Sequence, residues 1–309
     1  MTERRTAPAR ATVLCAGIAV QDIVMQVAAF PGPGQKVYAS DLVTIGGGCA
    51  ANAAVAAARL GGRVRFAGPL GDPADPASRD IVRGLRDEGI DTGGVRRVRG
   101  AQASVSLILI DQDGEKLIAT RRGKDLDKAR PSDPARLARG ANVVLADNRF
   151  PKFVLPICRA ARARKIPVVI DFDARSALND PLLALGTHVI ASSEALRAST
   201  GQRDLRKGLM RLGRSLKGFV AVTDGPNGAY WLDGAVVCHT PAFGIKAVDT
   251  LGAGDAFHGG FALAVAEGRP AAEAMRFASA TAALKCTRFG GMAAAPTRAQ
   301  VERLLRMKR

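Results

Sequence analysis

Short apolar runs alternate along most of the chain with longer stretches of helical period. Residues 12–16, 64–67, 142–146, 167–171, 188–191 and 219–223 are apolar at nearly every position, the mark of strands buried on both faces of a parallel sheet. Between and after them, helices are predicted over 50–60, 77–88, 154–164, 256–266, 271–286 and 298–307. In the helix over 256–266 the spacing turns Phe257, Phe261 and Val265 to the core, and residues 246–248 before it read as a strand end. This rhythm predicts an α/β fold, doubly wound and mostly parallel, with helices on both faces. Two segments differ. Residues at about 23–45 and 100–122 carry shorter β-like pieces broken by Pro31-Gly32-Pro33-Gly34 and Asp111-Gln112-Asp113-Gly114, which predicts a small separate sheet. A β-pair over 229–232 and 235–239 turns at Asp233-Gly234.

With 309 residues and 47% apolar content the chain can build a substantial core, which excludes disorder and fibre. The net charge of +17 is spread over the chain, and aromatics are only 5%. That is a poor stacking surface for single-stranded nucleic acid, though a basic field attracts nucleotide phosphates and anionic substrates. Cys15, Cys49, Cys158, Cys238 and Cys286 match neither a zinc spacing nor a disulfide framework, and predict buried thiols in a reducing cytoplasm. Residues 1–10 read as a disordered tail rather than a leader, because no small-residue cleavage site follows at once. No run reaches transmembrane length.

The chemistry concentrates at Asp249-Thr250-Leu251-Gly252-Ala253-Gly254-Asp255. Consecutive amides of Gly252, Ala253 and Gly254 can converge on one anion at the positive end of the following helix. Asp255 falls in the first helical turn, within reach of a bound hydroxyl. A carboxylate beside a phosphate nest points to phosphoryl transfer. Asp22 lies just past the carboxyl end of the first strand, where ligands of open α/β sheets gather. At the start of the helix over 50–60, Gly47 and Gly48 allow close backbone approach, and Asn52 can both donate and accept a hydrogen bond.

On these residues the chain resembles the ribokinase-like, PfkB-type sugar kinases, whose signature has the form Asp-Thr-x-Gly-Ala-Gly-Asp. Their second signature is present as Gly46-Gly47-Gly48-Cys49-Ala50-Ala51-Asn52, closing on Ala58-Arg59-Leu60-Gly61. The resemblance spans roughly residues 11 to 309. Within the family, the triple glycine, Val144-Leu145-Ala146-Asp147, Phe257-His258-Gly259 and residues 276–288 are most similar to the bacterial sulfofructose kinase branch. The resemblance implies a β lid over the sugar, ATP as donor with Mg²⁺, and pairing of lids in a homodimer. It implies Asp255 as the base, with the amides of Gly252, Ala253 and Gly254 stabilising the transferring group. Sugar contacts fall on Asp22, Gly47, Gly48, Asn52 and Thr120; nucleotide contacts fall on Thr223, Gly225, Gly228 and Gly290. A monovalent cation, potassium in relatives, belongs near Asp249.

Three departures from the family pattern matter. The Asn-x-x-Glu element aligns with Ser192-Ser193-Glu194-Ala195, leaving Glu194 as the candidate metal-organising carboxylate. Ala294 or Ala295 stands where relatives carry a serine ligand to the cation. The acidic sugar contact is replaced in Asp147-Asn148-Arg149-Phe150, and Arg149, joined by Lys36 on the lid, suits an anionic sugar. A nucleoside kinase, a sugar- or nucleotide-binding regulator without turnover, and a nucleic-acid binder are the competing readings. The sparse lid aromatics, Phe30 and Tyr38, argue against a stacked base; intact Asp255 argues against a pure sensor.

Overall fold

Strands that are apolar at nearly every position must be covered on both faces, and the computed structural model, which describes residues 10–307, covers them in this way. Along the chain run β1 (Thr12–Ala16), β2 (Val20–Val27), β3 (Ala39–Gly47), α1 (Cys49–Arg59), β4 (Arg63–Ala67), β5 (Pro69–Leu70), α2 (Pro76–Asp87), β6 (Arg96–Arg97), β7 (Ser104–Ile110), β8 (Lys116–Arg121), α3 (Pro134–Ala138), β9 (Val143–Asp147), α4 (Pro151–Ala163), β10 (Val168–Phe172), α5 (Pro181–Leu185), β11 (His188–Ser192), α6 (Ser193–Thr200), α7 (Leu205–Ser215), β12 (Phe219–Thr223), β13 (Ala229–Asp233), β14 (Val236–Thr240), α8 (Ala253–Ala266), α9 (Ala271–Lys285) and α10 (Arg298–Met307).

The large sheet has eight strands in the order β14-β13-β12-β11-β10-β9-β1-β4. It is parallel except where β13 and β14 add on antiparallel. In β9, Val143 and Leu145 face α1, α2, α8, α9 and α10, while Val144 and Ala146 face the layer of α3 to α7. The period of two along a strand thus feeds two cores. α1 is mostly alanine, so it lies close against α8 and β1, with Ala53, Ala54, Ala56 and Ala57 fully buried.

The smaller sheet is β3-β2-β7-β8, and β2 follows β1 after only the 17–19 turn. One of its faces is dry: Val24, Ile108 and Ile110 pack with Leu251 from the loop before α8. On the opposite face Met25, Leu42, Leu109 and Leu117 stand in one cross-strand row. The turn between β7 and β8 reaches that same loop, where Thr250 Oγ1 donates to the Gly114 carbonyl at 2.9 Å.

Two expectations change. Residues 246–248 form no strand, because the amides of Val248 and Asp249 both donate to the Cys286 carbonyl at the end of α9 (2.8 and 3.2 Å). Phe257 and Phe261 are buried as predicted, but Val265 is only partly so. The tail read over 1–10 lies, apart from Arg10, outside the described residues. No helix among the described residues is long and apolar enough to cross a membrane.

Candidate functional site

The loop ahead of α8 turns at Gly252, whose φ of 75° is one that side-chain-bearing residues rarely adopt. The turn lets the chain swing into the helix with its first amides free. Those of Gly252, Gly254 and Asp255 meet no protein acceptor among the described residues, whereas Ala253 N–H donates to the Thr250 carbonyl at 3.2 Å. The available anion donors are therefore Gly252, Gly254 and Asp255 rather than the expected run through Ala253.

Asp255 sits in the first turn of α8, and Asn52 Nδ2 donates to its Oδ2 at 2.7 Å. Burial pushes the Asp255 carboxyl up to about 6, the Asn52 hydrogen bond pulls it back, and nearby Asp173 raises it further. Asp22, on β2 of the smaller sheet, is 4% exposed. Burial raises it to about 7 against the opposing hydrogen bond from Ser106, with Asp255 adding to the rise. Ser106 Oγ lies 3.0 Å from Thr120 Oγ1, and Asp22, Ser106 and Thr120 stand opposite one another on β2, β7 and β8. A Cβ at Gly47 would overlap the Asp22 carboxylate, and one at Gly48, where φ is 95°, would press on the Ile18 carbonyl. Both glycines are thus required by close approach.

Behind Asp255 lies a group of acids that the sequence reading passed over. Asp171 and Asp173 extend from β10, beside Asp147 at the end of β9. Cys49 Sγ and one oxygen each of Asp171 and Asp255 lie within 4.8 Å of one another. The signal was available: both aspartates sit at the carboxyl end of an apolar strand, the position that singles out Asp22. Asp147 accepts from the amides of Ile18 (2.7 Å), Ala50 (3.2 Å) and Arg149 (2.9 Å), which ties β1 and α1 to β9. Burial raises Asp171 well above the usual carboxylate range, and Asp173 and Asp255 add to it. Burial also lifts the Cys49 thiol, the acids reinforcing it, so the thiol stays protonated.

Arg149 does not stand on an open rim. Its guanidinium is ion-paired to Asp173, with 30% of the side chain exposed. Burial works against its charge, and Asp173 with the neighbouring acids more than restores it. Lys36 lies on the exposed loop between β2 and β3, its ammonium 5.6 Å from the Tyr38 ring centroid. The structure therefore does not join the two cations expected to act together.

The nucleotide candidates line the sheet's carboxyl edge. Thr223 ends β12 in register with Ser192 at the end of β11. Gly225, Gly228 and Gly290 all adopt positive φ (51°, 89° and 116°), and a Cβ at Gly228 would overlap the Thr240 carbonyl. Glu194 is exposed in the first turn of α6 at that edge. The group of Cys49, Asp171 and Asp255 suits a hard divalent ion poorly, since it includes a protonated thiol and, in Asp171, a carboxyl that burial pushes towards its neutral form. Asp249 is fully buried beneath the loop, where Leu251 N donates to Oδ1 (2.8 Å) and Gly290 N and Gly291 N to Oδ2 (3.2 and 2.9 Å). Lys285 of α9 also meets Oδ2, at 3.0 Å. A cavity of about 400 Å³ between β3, α1 and α2 touches this constellation only through Asn52.

Residues 10–298 match the pfkB family carbohydrate kinase. Ribokinase from Bacillus subtilis (strain 168) is 27% identical over 291 residues, spanning 94% of this chain and 97% of its own. Fructokinase-1 from Zea mays is 26% identical over 285 residues, with 84% and 88% covered. Among solved structures, a protein of Agrobacterium tumefaciens provisionally called a ribokinase superposes with a TM-score of 0.92 at 36% identity, covering 97% of this chain and 99% of that one. Arabidopsis thaliana ribokinase, complexed with ribose and ATP, gives 0.80 at 26% identity over 96% and 99%.

Proposed function

The chain belongs to the pfkB family of carbohydrate kinases, and from that premise we propose that it phosphorylates a hydroxyl of an anionic ketohexose, sulfofructose being the specific candidate. Kinases of this family are ATP-dependent phosphotransferases acting on hydroxyl groups, and this chain is one of them. The observation that carries the catalytic reading is Asp255 at the head of α8, held by Asn52 beside amides that have no protein acceptor.

In the proposed reaction Asp255 accepts the proton of the sugar hydroxyl as its oxygen forms the bond to the γ-phosphorus. The bond from that phosphorus to the β–γ bridging oxygen breaks, and ADP carries the electron pair away. The amides of Gly252, Gly254 and Asp255 stabilise the charge on the transferring group. Asp22, Asn52 and Thr120 orient the sugar, while Gly47 and Gly48 let the backbone come close to it. Thr223, Gly225, Gly228 and Gly290 form the proposed nucleotide contacts. A divalent ion, magnesium in this proposal, neutralises the phosphates when bound, and Glu194 is the carboxylate assigned to its water shell.

The anionic acceptor rests on Arg149. Asp173 occupies part of the guanidinium fork, and a planar group with five N–H donors can still grip a sulfonate or phosphate with the rest. The surrounding carboxylates oppose a second anion deep in the pocket, so the anionic substituent belongs beside the Arg149 guanidinium. Inward folding of the β2–β3 loop would bring Lys36 to the same group.

The smaller sheet, with lid segments at about 23–45 and 100–122, acts in this reading as a lid over the sugar, and its outer row of Met25, Leu42, Leu109 and Leu117 as the contact of a homodimer. The five free thiols suit a reducing cytoplasm. ADP release with MgATP against neutral sugars, sugar phosphates, sugar acids, sulfofructose and nucleosides tests the whole reading. Turnover restricted to anionic ketoses supports it; preference for neutral sugars leaves the kinase and removes the anionic acceptor.

A further inference from the structure

The family resemblance places a monovalent cation beside Asp249, and the residues present do not fit one. An ionised carboxylate offers about four lone-pair positions. Here Leu251 N takes Oδ1, while Gly290 N, Gly291 N and the Lys285 ammonium all take Oδ2. The same ammonium donates to the Asp249 main-chain carbonyl at 2.8 Å, a second oxygen that would face a bound ion. Lys285 and Asp249 are both wholly buried.

A buried lysine is tolerated only where its charge is paired and hydrogen-bonded. Asp249 supplies both, and a potassium ion at the same oxygens would meet an Oδ2 already taken by three donors and a like charge within a few ångströms. Ala294 and Ala295 bring no side-chain oxygen to the place where relatives carry a serine. We infer that Lys285 is a covalently tethered replacement for the monovalent cation, so that the loop from Asp249 to Gly254 is held in shape without potassium. Lys285 is a positioning residue in this account: α9 carries the charge, Asp249 transmits it, and the free amides of the nest are what it orders.

The test compares potassium chloride with choline chloride at matched ionic strength, following melting temperature and, separately, initial rate. The wild-type chain is expected to melt at the same temperature in both salts and to turn over equally fast. A saturable rise of either quantity with potassium overturns the inference. Lys285→Met keeps the length of the side chain and removes the charge; it is expected to lower the melting temperature, since Asp249 is left buried without a counter-charge, and an unchanged melting temperature also overturns it. Should that variant fail to fold, the wild-type salt comparison still decides. The melting measurements need no turnover, so they stand apart from the proposed phosphoryl transfer; only the rate comparison rests on it.

Discussion

Asn52 and Asp255 are 203 residues apart in the chain, and the 2.7 Å hydrogen bond between them joins the first turns of α1 and α8. Each helix begins at a glycine with positive φ, Gly48 and Gly252. One side chain thereby holds the carboxylate expected to take the hydroxyl proton. Asp255→Asn keeps the shape and removes the base, and a loss of turnover of about 10²- to 10⁴-fold is expected. ATP affinity, measured by titration calorimetry, should hardly change; a large loss of ATP binding would mean that Asp255 shapes the nest instead.

The same pair sets an acid limit on rate. Asp255 must be ionised to act, and burial places it at about 6, so kcat/KM is expected to fall as pH drops through that region rather than near 4. Asn52→Ala removes the hydrogen bond that favours the ionised form. Its acid limb should move to higher pH, and a limb that stays in place would detach Asn52 from the titration.

Asp22 yields a prediction for stability. Its carboxyl titrates at about 7 in the fold against an ordinary 3.8. The folded chain therefore holds more protons than the unfolded chain between those values, and this site's contribution declines as pH rises across them, then levels off. Asp22→Asn stays uncharged, so it is expected to raise the melting temperature at pH 8 by more than at pH 5, while weakening sugar binding. Equal shifts at the two pH values would refute the assignment.

Arg149→Ala should raise KM for an anionic ketose far more than for neutral fructose. Because the substitution also leaves Asp173 without its cation, the comparison is made in an Asp173→Asn background. Parallel effects on both sugars would return Arg149 to a role in holding Asp173.

For the outer row of the smaller sheet, Leu117→Lys puts a charge at its edge. Sedimentation is expected to show a dimer for the wild type and a monomer for this variant, with the melting temperature little changed because Leu117 is exposed. A wild-type monomer would rule out the proposed contact.

Much of this was legible in the sequence, for reasons that differ by element. The strands of the large sheet are apolar at nearly every position because both of their faces are covered, and α8 opens at the Gly252-Ala253-Gly254 turn, which admits few other geometries. Residues 246–248 mislead because a β-branched residue such as Val248 records fitness for a pleated surface, not the presence of a neighbour; the Val248 amide goes to Cys286 instead. Lys285 reads as an ordinary helix lysine, and only its meeting with Asp249 across 36 residues gives it a purpose. Arg149 was recognisable as a cation near the pocket, but its partner Asp173 comes from another strand, a pairing that no local pattern carries. Ala253 was expected among the anion donors because its neighbours are glycines, and the tightness of the turn decided otherwise.

Asp22 belongs to the four-stranded sheet, while Asn52 and Asp255 belong to the layer beneath it. A sugar that touches all three, as proposed, would span the seam between the two sheets' layers, and that seam would work as a caliper. An acceptor one carbon longer or shorter would satisfy one jaw and miss the other, leaving a buried carboxylate without its hydroxyl, a mismatch that costs far more than a lost apolar contact. In the proposed reading, the hydroxyl that reaches Asp255 would then be chosen by length, through the way β2 leaves the end of β1.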